Sequence, residues 1–279
     1  MGDASSIGLR EKPYRLEGIH DMRVVIKIGT STIAHQTGQL NIRRMEKMCK
    51  VVSDLKNVGH EIVMVSSGAI GMGVGKLSMK ERPKDMPTKQ AAAAVGQCEL
   101  MYTYDKLFSE YRHTVAQILL TRSDIDHEDR RINFQNTIAR LIELGTIPII
   151  NENDTIATEE IAIGDNDTLS AVVATTVSAD LLILLSDIDG LYTADPHKDH
   201  NARMITRVER ITPEILALAD GKGSALGTGG MKTKLRAAQI TTEVGIDMVI
   251  ANGEDPNILY DILDGKDVGT RFVKRSKDL

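Results

Sequence analysis

The segment Gly227-Thr-Gly-Gly-Met-Lys-Thr-Lys234 combines three glycines, two threonines and two lysines directly ahead of a helical pattern of apolar residues. Glycines allow successive backbone N–H groups to point at an anion, and the start of the following helix adds a positive partial charge. Lys232 and Lys234 supply mobile positive charges that suit phosphate. The segment therefore indicates a phosphate-binding loop, and a solvated turn with surface lysines is the alternative interpretation.

A second turn of the same kind, Gly29-Thr-Ser31, follows the apolar segment 23–28, which contains Lys27. Neither loop has the spacing of a Walker A sequence, and no dinucleotide-binding glycine pattern is present. The prediction therefore depends on the combination of the two loops. Together, Lys27 and Lys234 are predicted to hold a phosphate chain from two sides.

An acidic residue between the two lysines would hold their ammonium groups in place. Asp167, in the segment Gly164-Asp-Asn-Asp167, is the candidate. Its alternative role is to cap a helix over 168–178, and the two roles are compatible. Phosphoryl transfer requires alignment and charge neutralisation more than covalent assistance from the protein. Since no Ser-His-Asp or Cys-His arrangement is apparent, phosphoryl transfer is the chemistry that these residues favour.

Short apolar segments rich in β-branched residues predict buried strands over 24–28, 62–65, 115–120, 147–150, 181–185 and 248–251. Helical periodicity predicts helices over 41–59, 88–111, 133–144, 168–178, 230–244 and 257–263, and residues 154–164 alternate as in a small hairpin. Buried strands separated by helices imply a mostly parallel sheet that is covered on both faces. We predict an α/β protein, a three-layer αβα sandwich over residues 22–273, with a loose extension over 1–21 and a basic tail over 274–279.

Composition excludes several classes of function. The 279 residues carry a formal net charge of −5 without a basic stripe, which argues against nucleic acid as a partner. The apolar runs are shorter than a membrane span, and the N-terminus lacks a signal-peptide core, so no membrane partner is predicted. Two cysteines without CxxC spacing indicate neither a disulfide framework nor a zinc site. This pattern favours a cytoplasmic protein.

Five segments in order, IKIGTS, SSGAIGMG, NENDTIATEEIAIGDNDTLSA, LLSDIDGLYTADP and GTGGMKTK, resemble the glutamate 5-kinases of the amino-acid kinase family. The resemblance covers about residues 22–273, and its most specific parts are the NEND…GDND block and the LYTADP loop. It implies the amino-acid kinase (carbamate kinase-like) fold. It also implies ATP-dependent phosphorylation of the γ-carboxylate of L-glutamate to L-glutamyl 5-phosphate, the first step of proline biosynthesis.

The resemblance also assigns roles to residues. It places catalysis on Lys27, Lys234 and Asp167, and the glutamate site on Ser67, Asp154 and Asn166. The ATP site that it implies consists of Lys27, Gly29, Thr30, Ser186, Asp187, Thr228, Gly229, Gly230, Met231, Lys232, Thr233 and Lys234. Mg²⁺ would be held mainly by the nucleotide phosphates, so no protein ligand of the metal is assigned.

The resemblance further implies a homo-oligomer, either a dimer or a tetramer, and L-proline as a feedback inhibitor. Many members carry a C-terminal PUA domain, and this sequence, ending at Leu279, is similar to a single-domain form or to the kinase half of a fusion. Two alternatives stay open: a kinase for acetylglutamate or carbamate, and a catalytically silent sensor of nucleotides or amino acids. The GDND segment favours free glutamate, and the presence of both Lys27 and Lys234 favours catalysis.

Overall fold

The computed structural model describes residues 21–35, 37, 39–158, 165–196, 198–219 and 230–275. In these ranges the strands are β1 (Arg23–Ile28), β2 (Glu61–Ser66), β3 (Val115–Leu120), β4 (Ile147–Glu152), β5 (Leu181–Ser186), β6 (Leu191–Tyr192), β7 (Met204–Ile205), β8 (Arg207–Val208), β9 (Asp247–Asn252) and β10 (Thr270–Phe272). The helices in the same ranges are α1 (Thr30–Ile33), α2 (Ile42–Asn57), α3 (Ala69–Lys76), α4 (Met86–Ser109), α5 (Arg122–Asp126), α6 (Glu128–Glu143), α7 (Asn166–Thr176), α8 (Pro213–Ala217), α9 (Met231–Glu243) and α10 (Ile258–Leu263).

Eight of the described strands form one sheet in the order β3-β4-β2-β1-β5-β9-β10-β8. Neighbours from β3 to β9 run parallel, β10 runs antiparallel to β9, and β8 runs parallel to β10. The central strand β1 pairs with β2 on one side and β5 on the other, which places Lys27 opposite Val65 and Leu184. The loops after β1, β2, β4 and β5 therefore meet at one edge of the sheet, where ligands of α/β proteins bind.

The sheet separates two apolar cores, and alternate residues of β1 enter opposite ones. Val24, Ile26 and Ile28 pack in the core that α2, α4 and α10 cover. Val25 packs in the other core, which α6, α7 and α9 cover. Helices on both faces of a mostly parallel sheet confirm the predicted three-layer αβα fold.

All six predicted strands are present, as β1 to β5 and β9, and the six predicted helices are α2, α4, α6, α7, α9 and α10. The prediction that every strand is buried is wrong for β3, which lies at the edge of the sheet and has only Leu120 buried. Helix α6 begins at Glu128 rather than at residue 133. The prediction started too late because the first turn of this helix is charged and has no apolar periodicity. In the predicted hairpin over 154–164, residues 154–156 form a turn, and 159–164 lie outside the described residues. The predicted extension, except Asp21, and residues 276–279 of the predicted tail also lie outside them.

Helix α3 begins within the SSGAIGMG segment, where the sequence predicted no helix. Its three glycines lower its intrinsic helix propensity, but packing against α4 stabilises it. A Cβ atom on Gly73 would lie 1.8 Å from the carbonyl oxygen of Ala92, and one on Gly96 would lie 1.7 Å from that of Ala69. The two helix backbones can approach this closely only because both positions are glycine.

Both cysteines are free: Cys49 is buried and Cys98 is exposed. In the part of the chain that the structure describes, no helix has both the length and the apolar character needed to cross a bilayer.

Candidate active site

Two buried lysines contact one buried carboxylate at the edge of the sheet. Lys27 Nζ, on β1, lies 2.8 Å from Asp167 Oδ1, and Lys234 Nζ, in the first turn of α9, lies 3.0 Å from Asp167 Oδ2. The hydroxyl group of Thr233 also donates to Oδ2, at 2.8 Å. Buried charges are tolerated when they are paired and hydrogen-bonded. Two ammonium groups against one carboxylate leave a net positive charge, which suits an anionic ligand.

Burial and charge pairing shift the pKa values of these groups in opposite directions. Burial raises the pKa of Asp167, but the ammonium groups of Lys27 and Lys234 outweigh it and lower that pKa to about 2. Burial lowers the pKa of Lys27, and Lys234 adds to this effect while Asp167 opposes it. Asp167 is therefore ionised at neutral pH and holds both lysines by charge.

Asp165, rather than Asp167, caps helix α7. Its carboxylate accepts hydrogen bonds from the backbone N–H of Thr168 at 2.7 Å and from the Thr168 hydroxyl at 2.9 Å. The interpretation of Asp167 as the cap is therefore wrong. Asp167 lies within the first turn, where the helix dipole favours a negative charge and its side chain is free to reach the lysines.

Four predicted nucleotide-site residues lie beside this cluster, at the ends of β1 and β5. The N–H of Gly29 donates to the carbonyl of Leu185 at 3.2 Å, and a Cβ atom on Gly29 would lie 3.6 Å from Lys27 Nζ. Ser186 is buried at the end of β5, and its hydroxyl donates to Asp187 Oδ1 at 3.0 Å. Thr30 is exposed at the start of α1. The ends of β1 and β5 thus lie side by side at the edge of the sheet and form one rim of the candidate site.

The predicted glycine-rich loop leads into α9, and its two lysines differ in environment. Gly230 is the N-cap of α9, Lys232 is exposed, and Lys234 is buried in the charged cluster. Met231 is the first residue of the helix. The remaining predicted residues of this loop, Thr228 and Gly229, lie outside the described residues.

Two of the three residues predicted to bind glutamate contact each other. Asn166 Nδ2 donates to Ser67 Oγ at 2.7 Å, to the carbonyl of Ser66 at 3.1 Å and to Asn151 Oδ1 at 3.1 Å. The hydrogens of the Asn166 amide are therefore engaged, and among the described residues no donor bonds to its Oδ1, which remains as an acceptor. Because Ser67 Oγ accepts from Asn166, the Ser67 hydroxyl hydrogen remains as a donor for a ligand.

Asp154, the third predicted residue, lies in the turn after β4, at the same edge of the sheet. Burial raises the pKa of its carboxyl group. Within the described ranges no cation pairs with it, and it makes no hydrogen bond to Ser67 or Asn166. A partly buried carboxylate of this kind suits the ammonium group of a ligand.

Sequence reasoning missed two members of the polar cluster. Asn151, at the end of the apolar strand β4, belongs to the NEND segment but received no role. Gln97 lies on α4 and accepts a hydrogen bond from Asn151 Nδ2 at 2.9 Å. Its signal in the sequence is an amide on the helix face that carries the small and apolar residues Ala93 and Leu100.

The sequence that builds this site is similar to those of known proteins. Residues 22–252 match the amino acid kinase family. A glutamate 5-kinase of Clostridium perfringens is 54% identical over 257 residues, which cover 91% of this chain and 96% of that protein. A glutamate 5-kinase of Moorella thermoacetica is 50% identical over 267 residues, which cover 96% of this chain and 71% of that protein.

Among solved structures, the carbamate kinase from Giardia lamblia bound to AMP-PNP aligns with a TM-score of 0.66 at 21% identity, covering 91% of this chain and 99% of that one. The UMP kinase from Bacillus anthracis aligns with a TM-score of 0.63 at 16% identity, covering 91% of this chain and 97% of that one. At these identities the likeness concerns the fold alone.

Proposed function

Because the chain belongs to the amino acid kinase family and, within it, to the glutamate 5-kinases, we infer that it transfers the γ-phosphoryl group of ATP to the side-chain carboxylate of L-glutamate. The product is L-glutamyl 5-phosphate, and the reaction is the first step of proline biosynthesis. The observation on the molecule that supports this function best is the buried cluster of Lys27, Asp167 and Lys234 beside the Ser67–Asn166 pair.

We propose that Lys27 and Lys234 neutralise the negative charge that develops on the transferred phosphoryl group. Ammonium groups that are already held in place stabilise this charge without reorganising during the reaction. Asp167 is proposed to hold both groups in position. It is not assigned as a base, because the attacking carboxylate of glutamate is already ionised at neutral pH.

We propose that Ser67, Asn166 and Asp154 bind L-glutamate by complementary hydrogen bonding and charge. The free hydroxyl hydrogen of Ser67 would donate to a substrate carboxylate. The carboxylate of Asp154 and the free Oδ1 of Asn166 would accept from the α-ammonium group. The N–H groups of Asn166 are not assigned to a substrate carboxylate, because they already bond to the protein.

The nucleotide is proposed to lie along the rim formed by the ends of β1 and β5 and the start of α9. The first N–H groups of a helix have no partner within it, so those at the start of α9 suit phosphate oxygens. Residues proposed to contact ATP are Lys27, Gly29, Thr30, Ser186, Asp187, Thr228, Gly229, Gly230, Met231, Lys232, Thr233 and Lys234.

Magnesium is proposed to arrive with ATP as part of the substrate complex. Both oxygens of Asp167 contact ammonium groups, so this carboxylate is not available as a metal ligand. The described residues also bring together no group of three or more acidic, histidine or cysteine side chains that could hold a metal ion. The phosphates of ATP would therefore supply the ligands that Mg²⁺ prefers.

Three further proposals rest on family membership. The chain is proposed to act as a homo-oligomer, either a dimer or a tetramer, to be inhibited by L-proline and to reside in the cytoplasm, where free cysteines are common. Light scattering on the purified protein tests the oligomeric state, and titration of the activity with L-proline tests the inhibition. Fluorescence imaging of a tagged chain tests the location.

The function itself is tested by trapping the acyl phosphate as its hydroxamate in the presence of ATP and Mg²⁺. L-glutamate, L-aspartate, N-acetyl-L-glutamate and carbamate are compared side by side, with Lys234→Ala as the control protein. We expect turnover with L-glutamate that the control lacks. Turnover with only another substrate would overturn the proposed roles of Ser67, Asp154 and Asn166. ATP binding without any turnover would favour the silent sensor.

A further inference from the structure

Gln97 is a buried polar residue that the proposed mechanism does not use. It lies on α4, is only 6% exposed, and accepts a hydrogen bond from Asn151 Nδ2 at 2.9 Å. Burying an amide is unfavourable unless the amide is hydrogen-bonded. Gln97 therefore requires the Asn151 amide as a partner, and the same contact restricts how that amide can be oriented.

The contact with Gln97 determines which end of the Asn151 amide faces the proposed glutamate site. Since Nδ2 donates to Gln97, Oδ1 faces the opposite way and accepts from Asn166 Nδ2 at 3.1 Å and from the N–H of Glu152 at 2.9 Å. If the Asn151 amide turned over, its NH₂ group would face the NH₂ group of Asn166. Two donors would then oppose each other without an acceptor.

The orientation of Asn151 carries over to the residues proposed to contact glutamate. Asn166 Nδ2 remains directed at Asn151 Oδ1 and at Ser67 Oγ, the latter at 2.7 Å. Its Oδ1 and the Ser67 hydroxyl hydrogen are consequently left for the ligand. The continuous series Gln97–Asn151–Asn166–Ser67 thus determines which groups facing the site are donors and which are acceptors.

We propose that Gln97 is a positioning residue for L-glutamate, acting through Asn151 and Asn166 without touching the substrate. The proposal rests on the proposed function, because that function assigns Ser67 and Asn166 to glutamate. A second contact supports it: Gln90, seven residues earlier on the same face of α4, donates from Nε2 to the carbonyl of Ala157 at 3.1 Å. Helix α4 therefore holds both ends of the segment that carries Asp154.

The first variant is Gln97→Met, which keeps the length and volume of the side chain but removes the amide acceptor. We expect the KM for L-glutamate to rise about tenfold, since one buried hydrogen bond that orients the site is lost. The KM for ATP and the kcat should change little, whereas the melting temperature should fall by a few degrees, because Asn151 Nδ2 loses its buried acceptor. The matched control is Thr241→Val, which removes a buried hydroxyl that donates within α9 to the carbonyl of Ala237. It should leave both KM values unchanged.

A double-mutant cycle separates positioning from general loss of stability. If Gln97 acts through Asn151, Gln97→Met should have little further effect on the glutamate KM in an Asn151→Ala background. Additive effects would contradict the proposal. Gln97→Glu, a second variant in case Gln97→Met does not fold, retains an acceptor for Asn151 and should keep the glutamate KM within about threefold of the wild-type value.

The outcomes distinguish this inference from the function on which it rests. If the wild-type protein does not phosphorylate L-glutamate, the proposed function fails. If the wild-type protein is active and folded Gln97→Met retains its glutamate KM, or if Gln97→Glu loses affinity as severely as Gln97→Met, only the role of Gln97 is overturned.

Discussion

Lys27 and Lys234 lie near opposite ends of the chain, yet their ammonium groups contact opposite oxygens of one buried carboxylate, that of Asp167. Each of the three side chains comes from a different element: β1, α9 and α7. Their arrangement therefore exists only when both helices pack on the same face of the central sheet, as they do in one of the two cores. The charged cluster depends directly on the tertiary fold.

Lys234→Ala should lower kcat by about a hundredfold to a thousandfold, the range seen when a fixed donor that stabilises transition-state charge is removed. The KM for L-glutamate should change far less, because Lys234 is assigned to the phosphoryl group. Steady-state kinetics with ATP and glutamate varied separately measures both constants. A near-normal rate would remove the role proposed for Lys234. The kcat of Lys27→Ala and that of Asp167→Ala should also be strongly lowered.

Because of Asp167, the free energy of unfolding should depend on pH in the acidic range. Its pKa is lowered to about 2 in the folded protein, below the ordinary aspartate value of 3.8. Its stabilising contribution should therefore be complete above about pH 4 and disappear as the pH falls through about 2, a change of about 2 kcal/mol. Urea unfolding of the wild type and of Asp167→Asn between about pH 2 and pH 5 measures it. The difference between their unfolding free energies should shrink with acidification, and a constant difference would contradict the assignment.

Gly73→Ala should destabilise the protein by about 3 kcal/mol or more, because the new Cβ would overlap the carbonyl group of Ala92 and separate α3 from α4. The matched control is Gly71→Ala on the same helix, where the nearest atom to a new Cβ lies 3.8 Å away, on Thr30. This control should be neutral or slightly stabilising, since alanine is the better helix former. Thermal and urea unfolding compare the two variants, and equal stabilities would contradict the close packing.

Asp154 should make glutamate binding sensitive to mildly acidic pH. Burial raises the pKa of its carboxyl group, and only the ionised form is expected to attract the α-ammonium group. The ratio kcat/KM for L-glutamate should therefore fall on acidification at a pH above the usual aspartate range. Asp154→Asn should lower this ratio at neutral pH and abolish that part of the pH profile. A profile unchanged by the substitution would show that another group is responsible.

The sequence alone determined the layout of the fold. A buried strand such as Leu181–Ser186 is a short apolar segment, and the helices between the strands have a clear apolar period, so a parallel sheet covered on both faces could be predicted. It could not predict α3, because glycines make its local helix propensity low and only its contact with α4 stabilises it. It also missed the two- and three-residue strands β6, β7, β8 and β10, since segments this short have no detectable period.

For the candidate site, the residue types and the glycine-rich spacing were sufficient to identify Lys27, Lys234 and Asp167 as one group. The tertiary structure decided which residue caps the helix and which one contacts the lysines. In the GDND segment several residues can cap a helix, and only the packing of α7 under β1 and α9 selects Asp165 as the cap and Asp167 as the partner of the lysines. Gln97 became apparent only in the fold, because hydrogen bonds between distant segments leave no local pattern in the sequence.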